Sequence, residues 1–374
     1  MYPRARSETG WSGRDAAIKI EMELISEFGG MDPSQFRFRD VMIDDKEHLH
    51  ALEIGAESGL PKLLMIHGFG GNNTVFYKMF ATLSQRFHIF SIDLPGMGFN
   101  FRGFDRSLFE TLEEAIEFVV TRIRLFVDAV GWTRFSLLGH SMGSFFGGHF
   151  FDAYEHMVDK LILLSPAGFN RSSPQSHAKL KQAMMGLTWW QRAIYNYHAQ
   201  RIFSEKKSPW EITPEFFLLF AMKFYFAQSR LGFSKSEQKK MIELSRLNIL
   251  QPQCGERCLG LLFDWGLQTT EPLSEVFVRH RERQSDVAIL YGEKDWMDFE
   301  ETLETMRHLQ LSKLSVFEVK SADHQLMFQN PKLTMEIIFS FLDGGERGGD
   351  LAKFVLKSKK KESLGQKVPS SSET

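Results

Sequence analysis

Short runs of almost entirely apolar residues recur along this chain, and each is followed within two residues by a turn-forming residue. They are Leu63–Ile66, His88–Ile92, Phe135–Leu138, Leu161–Leu164 and Val287–Tyr291. Strands of a parallel sheet that are buried on both faces have this continuous apolar character, whereas strands with one solvated face alternate. Amphipathic helical patterns lie between the runs, such as the one from Leu112 to Val130 that stops at Gly131. The alternation predicts an α/β domain with a mostly parallel central sheet flanked by helices.

The predicted sheet is extended at one end and interrupted in the middle. Residues 36–43 and 48–54 alternate and predict a hairpin that precedes the parallel strands. The strand pattern stops near Asn170, and the next hundred residues are helical and rich in aromatic side chains. We therefore predict a helical lid inserted after the sixth strand. The predicted segments are a weakly ordered N-terminal extension (1–35), a first core part (36–169), the lid (170–275), a second core part (276–343) and a basic, disordered tail (344–374).

The stretch Gly139-His140-Ser141-Met142-Gly143 contains a candidate catalytic nucleophile. A G-x-S-x-G pattern is weak evidence alone, because small residues are common in turns. Here it lies between a predicted strand and a predicted helix, which is the context that a nucleophile elbow requires. Ser141 is therefore the predicted nucleophile, presented beyond the carboxyl ends of the strands, where open α/β sheets bind ligands.

A nucleophilic serine needs a base and an acid that orients the base. His324 follows the last predicted strand and precedes the last helix, so it has the right place in the chain order serine, acid, histidine. Asp295, which follows the strand Val287–Tyr291, is the first choice for the orienting acid. Asp298 is the alternative, and either aspartate could instead serve only at a helix start.

Acyl transfer also needs N–H donors for the oxyanion of the tetrahedral intermediate. The glycine-rich stretch His67–Gly71 follows an early strand, and we predict the backbone N–H groups of Phe69 and Met142 as the donor pair. The stretch does not match either phosphate-binding glycine pattern, so we do not expect a nucleotide site. The predicted reaction needs no cofactor and no metal.

The aromatic residues of the predicted lid suit a long acyl chain. We expect most of its phenylalanines to belong to a helical core and a minority to line the site. The candidates for substrate contact are Trp189, Trp190, Phe216 and Phe220.

Charge and hydropathy limit the partners and the location. The formal net charge of −2 gives no reason to expect nucleic acid. We expect no secretory signal and no bilayer span, since the longest apolar stretch, 216–227, is short and contains Lys223. The expectation is an intracellular, cytoplasmic protein that is soluble or attached peripherally to a membrane or lipid droplet, with Trp189-Trp190 and the basic tail as contact points.

Residues 36–343 resemble the α/β-hydrolase superfamily, and within it the group of α/β-hydrolase-domain proteins four and five. The resemblance rests on LLMIHGFGGN, SIDLPGMGFN, LLGHSMGSFFGG, LILLSPAGF, QCGERCL and YGEKDWM. It implies the α/β-hydrolase fold and a phospholipase or lysophospholipase that cleaves an acyl ester of a glycerolipid.

Two departures from that group bear on activity. Its animal lipase co-activator lacks the serine that is present here as Ser141, which favours an active enzyme. The group also carries H-x4-D at the triad histidine, a motif linked to acyl transfer, and here the aspartate position is Gln329. A lysophosphatidic acid acyltransferase and a non-catalytic adaptor that recruits a lipase to lipid surfaces are the alternative functions.

Overall fold

A computed structural model describes residues 13–100, 102, 109–172, 174, 188–228, 231–252, 254–264, 268–297 and 299–344. Its centre is an eight-stranded sheet with the strand order β1-β2-β4-β3-β5-β6-β7-β8. The strands are β1 (Phe36–Met42), β2 (His48–Ile54), β3 (Lys62–Ile66), β4 (His88–Ile92), β5 (Phe135–His140), β6 (Val158–Leu164), β7 (Val287–Gly292) and β8 (Ser315–Val319). β1 and β2 form the predicted antiparallel hairpin, β2 is also antiparallel to β4, and all other pairs are parallel.

Helices cover both faces of this sheet. In chain order they are α1 (Arg14–Glu23), α2 (Tyr77–Leu83), α3 (Leu112–Ala129), α4 (Met142–Tyr154), α5 (Trp189–Ala199), α6 (Pro209–Ile212), α7 (Glu215–Phe226), α8 (Lys235–Ile249), α9 (Leu259–Leu262), α10 (Leu273–Arg279), α11 (Phe299–His308), α12 (Leu326–Gln329) and α13 (Pro331–Leu342). Leu64 and Ile66 of β3 belong to the core cluster on one face, and Leu63 and Met65 belong to the cluster on the other. Two-sided burial therefore explains why the central strands are apolar at nearly every position.

A helical insertion lies between β6 and β7. Its described part runs through α5, α6, α7, α8 and α9. An isolated parallel bridge joins Arg171 to Thr269, so the segment leaves and re-enters the core at one place. No described helix is long and apolar enough to cross a membrane.

The N-terminal segment is more ordered than predicted. Helix α1 continues into a π-helical turn, Leu24–Phe28, and Ala17, Leu24 and Ile25 are fully buried. The prediction of a weakly ordered 1–35 extension is therefore wrong for residues 14–28. Its polarity was misleading because buried Glu21 accepts hydrogen bonds inside the protein. Residues 1–12, and 345–374 of the predicted tail, lie outside the described residues.

Candidate active site

Ser141 occupies a sharp turn between β5 and α4. Its backbone has φ 54° and ψ −117°, a positive φ that costs a non-glycine residue about 1–3 kcal/mol. The flanking glycines make the turn possible: a Cβ at Gly139 would lie 2.5 Å from the carbonyl oxygen of Gly143, and a Cβ at Gly143 would lie 2.3 Å from that of Ile66. The serine is thus held in a strained conformation that only this close packing of backbone maintains.

The predicted base and acid meet at the same edge of the sheet. His324 follows β8 and Asp295 follows β7, and both strands run parallel to β5, which ends at the serine. The Nδ1 of His324 donates a hydrogen bond of 3.1 Å to Oδ1 of Asp295. Ser141 and His324 line one cavity, although no hydrogen bond joins them among the described residues. Such bonds often form only when substrate binds.

Asp295 is held as a carboxylate by its neighbours. Burial by itself would raise its pKa, but the hydrogen bond from His324, with further hydrogen bonds from the Ser165 hydroxyl and the Met297 N–H, lowers the pKa below its ordinary value. A carboxylate in this position fixes the histidine tautomer that leaves Nε2 free to accept a proton. Asp298, the alternative acid, lies outside the described residues.

Local backbone structure constrains both predicted oxyanion donors. The carbonyl oxygen of Gly68 accepts hydrogen bonds from His67 Nδ1 at 2.6 Å and from Gly71 N at 3.1 Å. Because C=O and N–H point in opposite directions across a trans peptide, anchoring this carbonyl turns the Phe69 N–H the other way. Met142 is the first residue of α4, so its N–H has no acceptor within the helix.

The imidazole of His67, which donates to the Gly68 carbonyl, is held in a single protonation state. Its Nε2 accepts a hydrogen bond of 2.9 Å from the Leu94 N–H, which leaves the proton on Nδ1. Complete burial lowers the pKa of His67 to about 4, against the smaller raising effect of the Gly68 carbonyl. The imidazole is therefore neutral near pH 7 and holds the Gly68–Phe69 peptide unit through one defined hydrogen bond.

Comparison with known proteins agrees with the observed fold. Residues 61–203 match a protein family described as having the alpha/beta hydrolase fold. A bacterial membrane phospholipase A has a similar structure, with a TM-score of 0.55 and 19% identity, covering 88% of this chain and 92% of that one. The chain has the α/β-hydrolase fold. The fold predicted from the sequence is thereby confirmed.

Two curated relatives match most of the length of this chain. A 1-acylglycerol-3-phosphate O-acyltransferase of Arabidopsis thaliana is 24% identical over 83% of this chain and 73% of its own. Abhydrolase domain-containing protein abhd-5.2 of Caenorhabditis elegans is 22% identical over 76% of this chain and 60% of its own.

The α/β hydrolase has a cavity of about 580 Å³ beside Ser141. Its walls are largely apolar, and the insertion supplies many of them. The α7 contribution comes from positions spaced three or four apart, namely Leu218, Ala221, Met222, Tyr225 and Phe226. Trp210 of α6 stacks on Phe69, with ring centroids 5.5 Å apart. The cavity joins Ser141 to a largely apolar surface.

The residues predicted to contact substrate lie elsewhere. Phe216 and Phe220 are 64% and 71% exposed and Trp189 is 81% exposed, and none of the three lines the cavity. Their predicted place in the cavity is wrong for Phe216 and Phe220 because α7 turns its other face inward, and for Trp189 of α5 because its side chain faces solvent. Apart from Glu215 and Lys223, helix α7 is apolar all round, so its pattern gave little sign of which face this is. The side chain of Trp190 lies outside the described residues.

Sequence reasoning also missed residues that support the triad. Ser165, with a φ of 45°, directs its hydroxyl to Asp295, and its position directly after β6 was the available signal. His140 donates from Nε2 to the carbonyl oxygen of His324 at 2.9 Å, and burial lowers the pKa of His140 to about 3. No group of three potential metal ligands occurs among the described residues of this hydrolase.

Proposed function

We propose that this α/β hydrolase is a serine hydrolase that cleaves an acyl ester of a glycerolipid through an acyl-enzyme intermediate. The observation that carries the proposal is that Ser141 and His324, whose Nδ1 is hydrogen-bonded to Asp295, line one largely apolar cavity. Phe69 also lines this cavity, and Met142 directly follows the serine as the first residue of α4. Each part has one role in the triad mechanism of acyl transfer.

The reaction proceeds in two balanced halves. Ser141 Oγ attacks the ester carbonyl carbon while His324 Nε2 takes the serine proton, and the Phe69 and Met142 N–H groups bind the oxyanion. The intermediate collapses, the ester C–O bond breaks, and protonated His324 returns the proton to the leaving alcohol oxygen. Water then attacks the acyl-enzyme carbonyl carbon while His324 takes a proton from the water. The bond between the acyl carbon and Ser141 Oγ breaks, protonated His324 returns the proton to Ser141 Oγ, and the fatty acid is released.

The substrate class is supported by the cavity and by the relatives. A largely apolar cavity of about 580 Å³ falls in the usual range for small-molecule sites and has few groups for a polar ligand. The two relatives named a phospholipase A and a 1-acylglycerol-3-phosphate O-acyltransferase both take their names from acyl chemistry on lipids.

The test compares two serine variants from the same turn. Ser141→Ala removes the nucleophile. Ser144→Ala removes only a hydrogen bond of 3.2 Å to the Leu164 carbonyl, so it serves as the matched control. With phosphatidylcholine and lysophosphatidylcholine as substrates, we expect Ser141→Ala to abolish fatty acid release and fluorophosphonate labelling while Ser144→Ala keeps both. Release that persists in Ser141→Ala would show that the assignment is wrong.

Acyl transfer to a lysolipid is the second candidate, favoured by the name of the Arabidopsis relative. Against it, Gln329 stands where an acyltransferase motif has aspartate, and its Oε1 accepts a hydrogen bond from the Asp323 N–H beside the base. Lysophosphatidic acid and acyl-CoA supplied together should yield free fatty acid without phosphatidic acid if hydrolysis dominates. An intact triad without turnover on either substrate would favour the adaptor function instead.

We also propose that the outer face of α7 docks on a lipid surface. Phe216, Phe217, Phe220 and Phe224 are each more than half exposed on this face, and exposed Lys223 lies among them. A helix with an exposed apolar face and a basic residue suits the interface of an anionic bilayer. Because the inner face of α7 lines the cavity, docking would bring lipid next to the active site.

Vesicle flotation tests the docking face. Phe220→Ser combined with Phe224→Ser should reduce binding to phosphatidylcholine–phosphatidylserine vesicles at least tenfold. Met42→Ser, which removes a half-exposed apolar side chain from β1, should not. Equal vesicle binding by the double variant and the wild type would contradict the assignment. It would also be contradicted if the double variant bound vesicles normally and differed from the wild type only in self-association measured by light scattering.

A further inference from the structure

Asn248 links the helical insertion to the loop that carries the oxyanion donor. It lies next to the C-terminal end of α8 and is 5% exposed. Its Nδ2 donates to the carbonyl oxygens of Gly71 at 2.9 Å and Gly70 at 3.3 Å. One carboxamide therefore anchors two consecutive carbonyls of the loop.

A buried ion pair fixes the orientation of that carboxamide. The Asn248 Oδ1 lies 3.4 Å from a guanidinium nitrogen of Arg102, and the same guanidinium contacts both carboxylate oxygens of Glu256 at 2.7 and 2.9 Å. The Arg102 and Glu256 side chains are only 6% and 3% exposed. A guanidinium only donates and a carbonyl only accepts, so only one of the two amide orientations satisfies all these partners.

The anchored carbonyls of Gly70 and Gly71 lie in the same short loop as the predicted oxyanion donor, the Phe69 N–H. The Gly71 N–H donates to the Gly68 carbonyl, which belongs to the same peptide unit as the Phe69 N–H. Gly70 has a φ of 73°, and two adjacent glycines can rotate their peptide planes at little steric cost. Without a partner, a loop carbonyl could turn toward the cavity, where its negative end would oppose the developing oxyanion.

We propose that Asn248 is a positioning residue for the oxyanion hole, and this rests on the proposed hydrolase function. By holding the Gly70 and Gly71 carbonyls away from the reacting ester, Asn248 keeps the Phe69 N–H directed at it. The insertion then contributes to catalysis as well as forming a wall of the cavity. Its C-terminal part carries both Asn248 and Glu256, and the ion pair of Glu256 with Arg102 of the core orients the Asn248 carboxamide.

The kinetic test uses Asn248→Asp and Asn248→Ala. The first keeps the side-chain shape and replaces the donating NH2 with an oxygen, and the second removes the side chain. Gln238→Glu and Gln238→Ala are the matched controls on α8, since Gln238 donates to the Phe233 carbonyl, well away from the loop. We expect both Asn248 variants to lower kcat about 10²-fold, as the loss of an oxyanion donor does, with KM within threefold of wild type.

Inhibitor binding separates positioning from a general structural effect. A trifluoromethyl ketone adds to the serine and forms an oxyanion, whereas a matched ether analogue only fills the cavity. The Asn248 variants should bind the ketone at least tenfold more weakly and the ether equally well, with Gln238 controls unchanged. Folded variants that keep kcat within threefold, or that weaken both inhibitors equally, overturn the proposal.

Hydrogen exchange tests the loop without any substrate. The Gly71 amide is protected by its bond to the Gly68 carbonyl, so its exchange should accelerate in Asn248→Ala and stay unchanged in Gln238→Ala. If wild type releases no fatty acid, the proposed function fails, and the exchange rate still decides whether Asn248 holds the loop. Unchanged Gly71 exchange in a folded Asn248→Ala variant overturns the inference.

Discussion

Replacing Asp295 with asparagine should reduce kcat roughly a thousandfold. When His324 takes the serine proton, its positive charge forms beside the carboxylate that accepts its Nδ1–H at 3.1 Å. Two unit charges about 4 Å apart at an effective dielectric constant near 20 attract by about 4 kcal/mol. Since about 1.4 kcal/mol changes a rate tenfold, loss of this attraction corresponds to roughly 10³ in kcat.

The hydrogen bonds around Asp295 explain why the loss should not be larger. In a serine protease triad the same change costs about 10⁴, because the amide favours the wrong histidine tautomer. Here Oδ1 accepts from the Met297 N–H as well as from His324, so an asparagine is driven to keep its oxygen at that position. Its NH2 group then faces Ser165, whose hydroxyl can rotate to accept. The productive tautomer is retained and only the charge is lost.

Steady-state hydrolysis of a soluble short-chain ester measures this effect without interference from lipid binding. Asp298→Asn is the matched control, since Asp298 was the other candidate acid, and it should keep kcat within threefold. Adding Ser165→Ala to Asp295→Asn should cost about a further tenfold, because the asparagine NH2 loses its acceptor and only the Met297 N–H then favours the productive amide orientation. A kcat for Asp295→Asn within tenfold of wild type, or an equal loss in Asp298→Asn, would refute the reasoning.

Three further variants test other parts of the structure. Burial opposes the charge on His50, but hydrogen bonding to carboxylates raises the pKa of His50 from 6.5 to about 10. The contribution of protonated His50 to the free energy of unfolding is therefore complete below pH 6.5 and is lost as the pH rises through 10. Denaturant titrations should show this decline in wild type and not in His50→Gln; parallel curves would contradict it. Gly143→Ala places a Cβ 2.3 Å from the Ile66 carbonyl oxygen, and should destabilise the fold by about 3 kcal/mol or more in thermal unfolding, so an unchanged Tm would count against the close packing. Ser165→Ala alone should lower kcat about tenfold by weakening the support of Asp295, and an unaltered kcat would show that this hydroxyl is dispensable.

The sequence was sufficient for the sheet because both faces of its strands are buried. A continuous apolar run such as Leu63 to Ile66 predicts a strand that is covered by helices on both faces. The structure gives this strand, β3, as Lys62–Ile66. The place of Ser141 followed from the same logic, since a G-x-S-x-G turn after such a strand can only lie at the edge where the parallel strands end. These features depend on local pattern and on chain order.

Features that depend on distant partners could not be predicted. Glu21 is fully buried, yet in the sequence it is one polar residue in a polar segment. Its burial follows from the hydrogen bonds that Asn72 and Thr74 donate to it from the far end of the glycine-rich loop. Asn248 was overlooked for the same reason, since its partners are backbone carbonyls that the sequence does not distinguish. Helix α7 presented the opposite difficulty, because apolar residues on every side fit either orientation.

The outward phenylalanines of α7 also set the behaviour of the protein in plain buffer. Four aromatic side chains, each 54–71% exposed on one helix face, form an apolar patch of a kind that monomers in water seldom tolerate. At the concentrations needed for scattering or crystallisation, we expect copies to cover this face with one another and detergent micelles to separate them. We therefore expect the measured particle size to depend on whether lipid or detergent is present. We also expect measured rates to depend on protein concentration unless a lipid or detergent covers the patch.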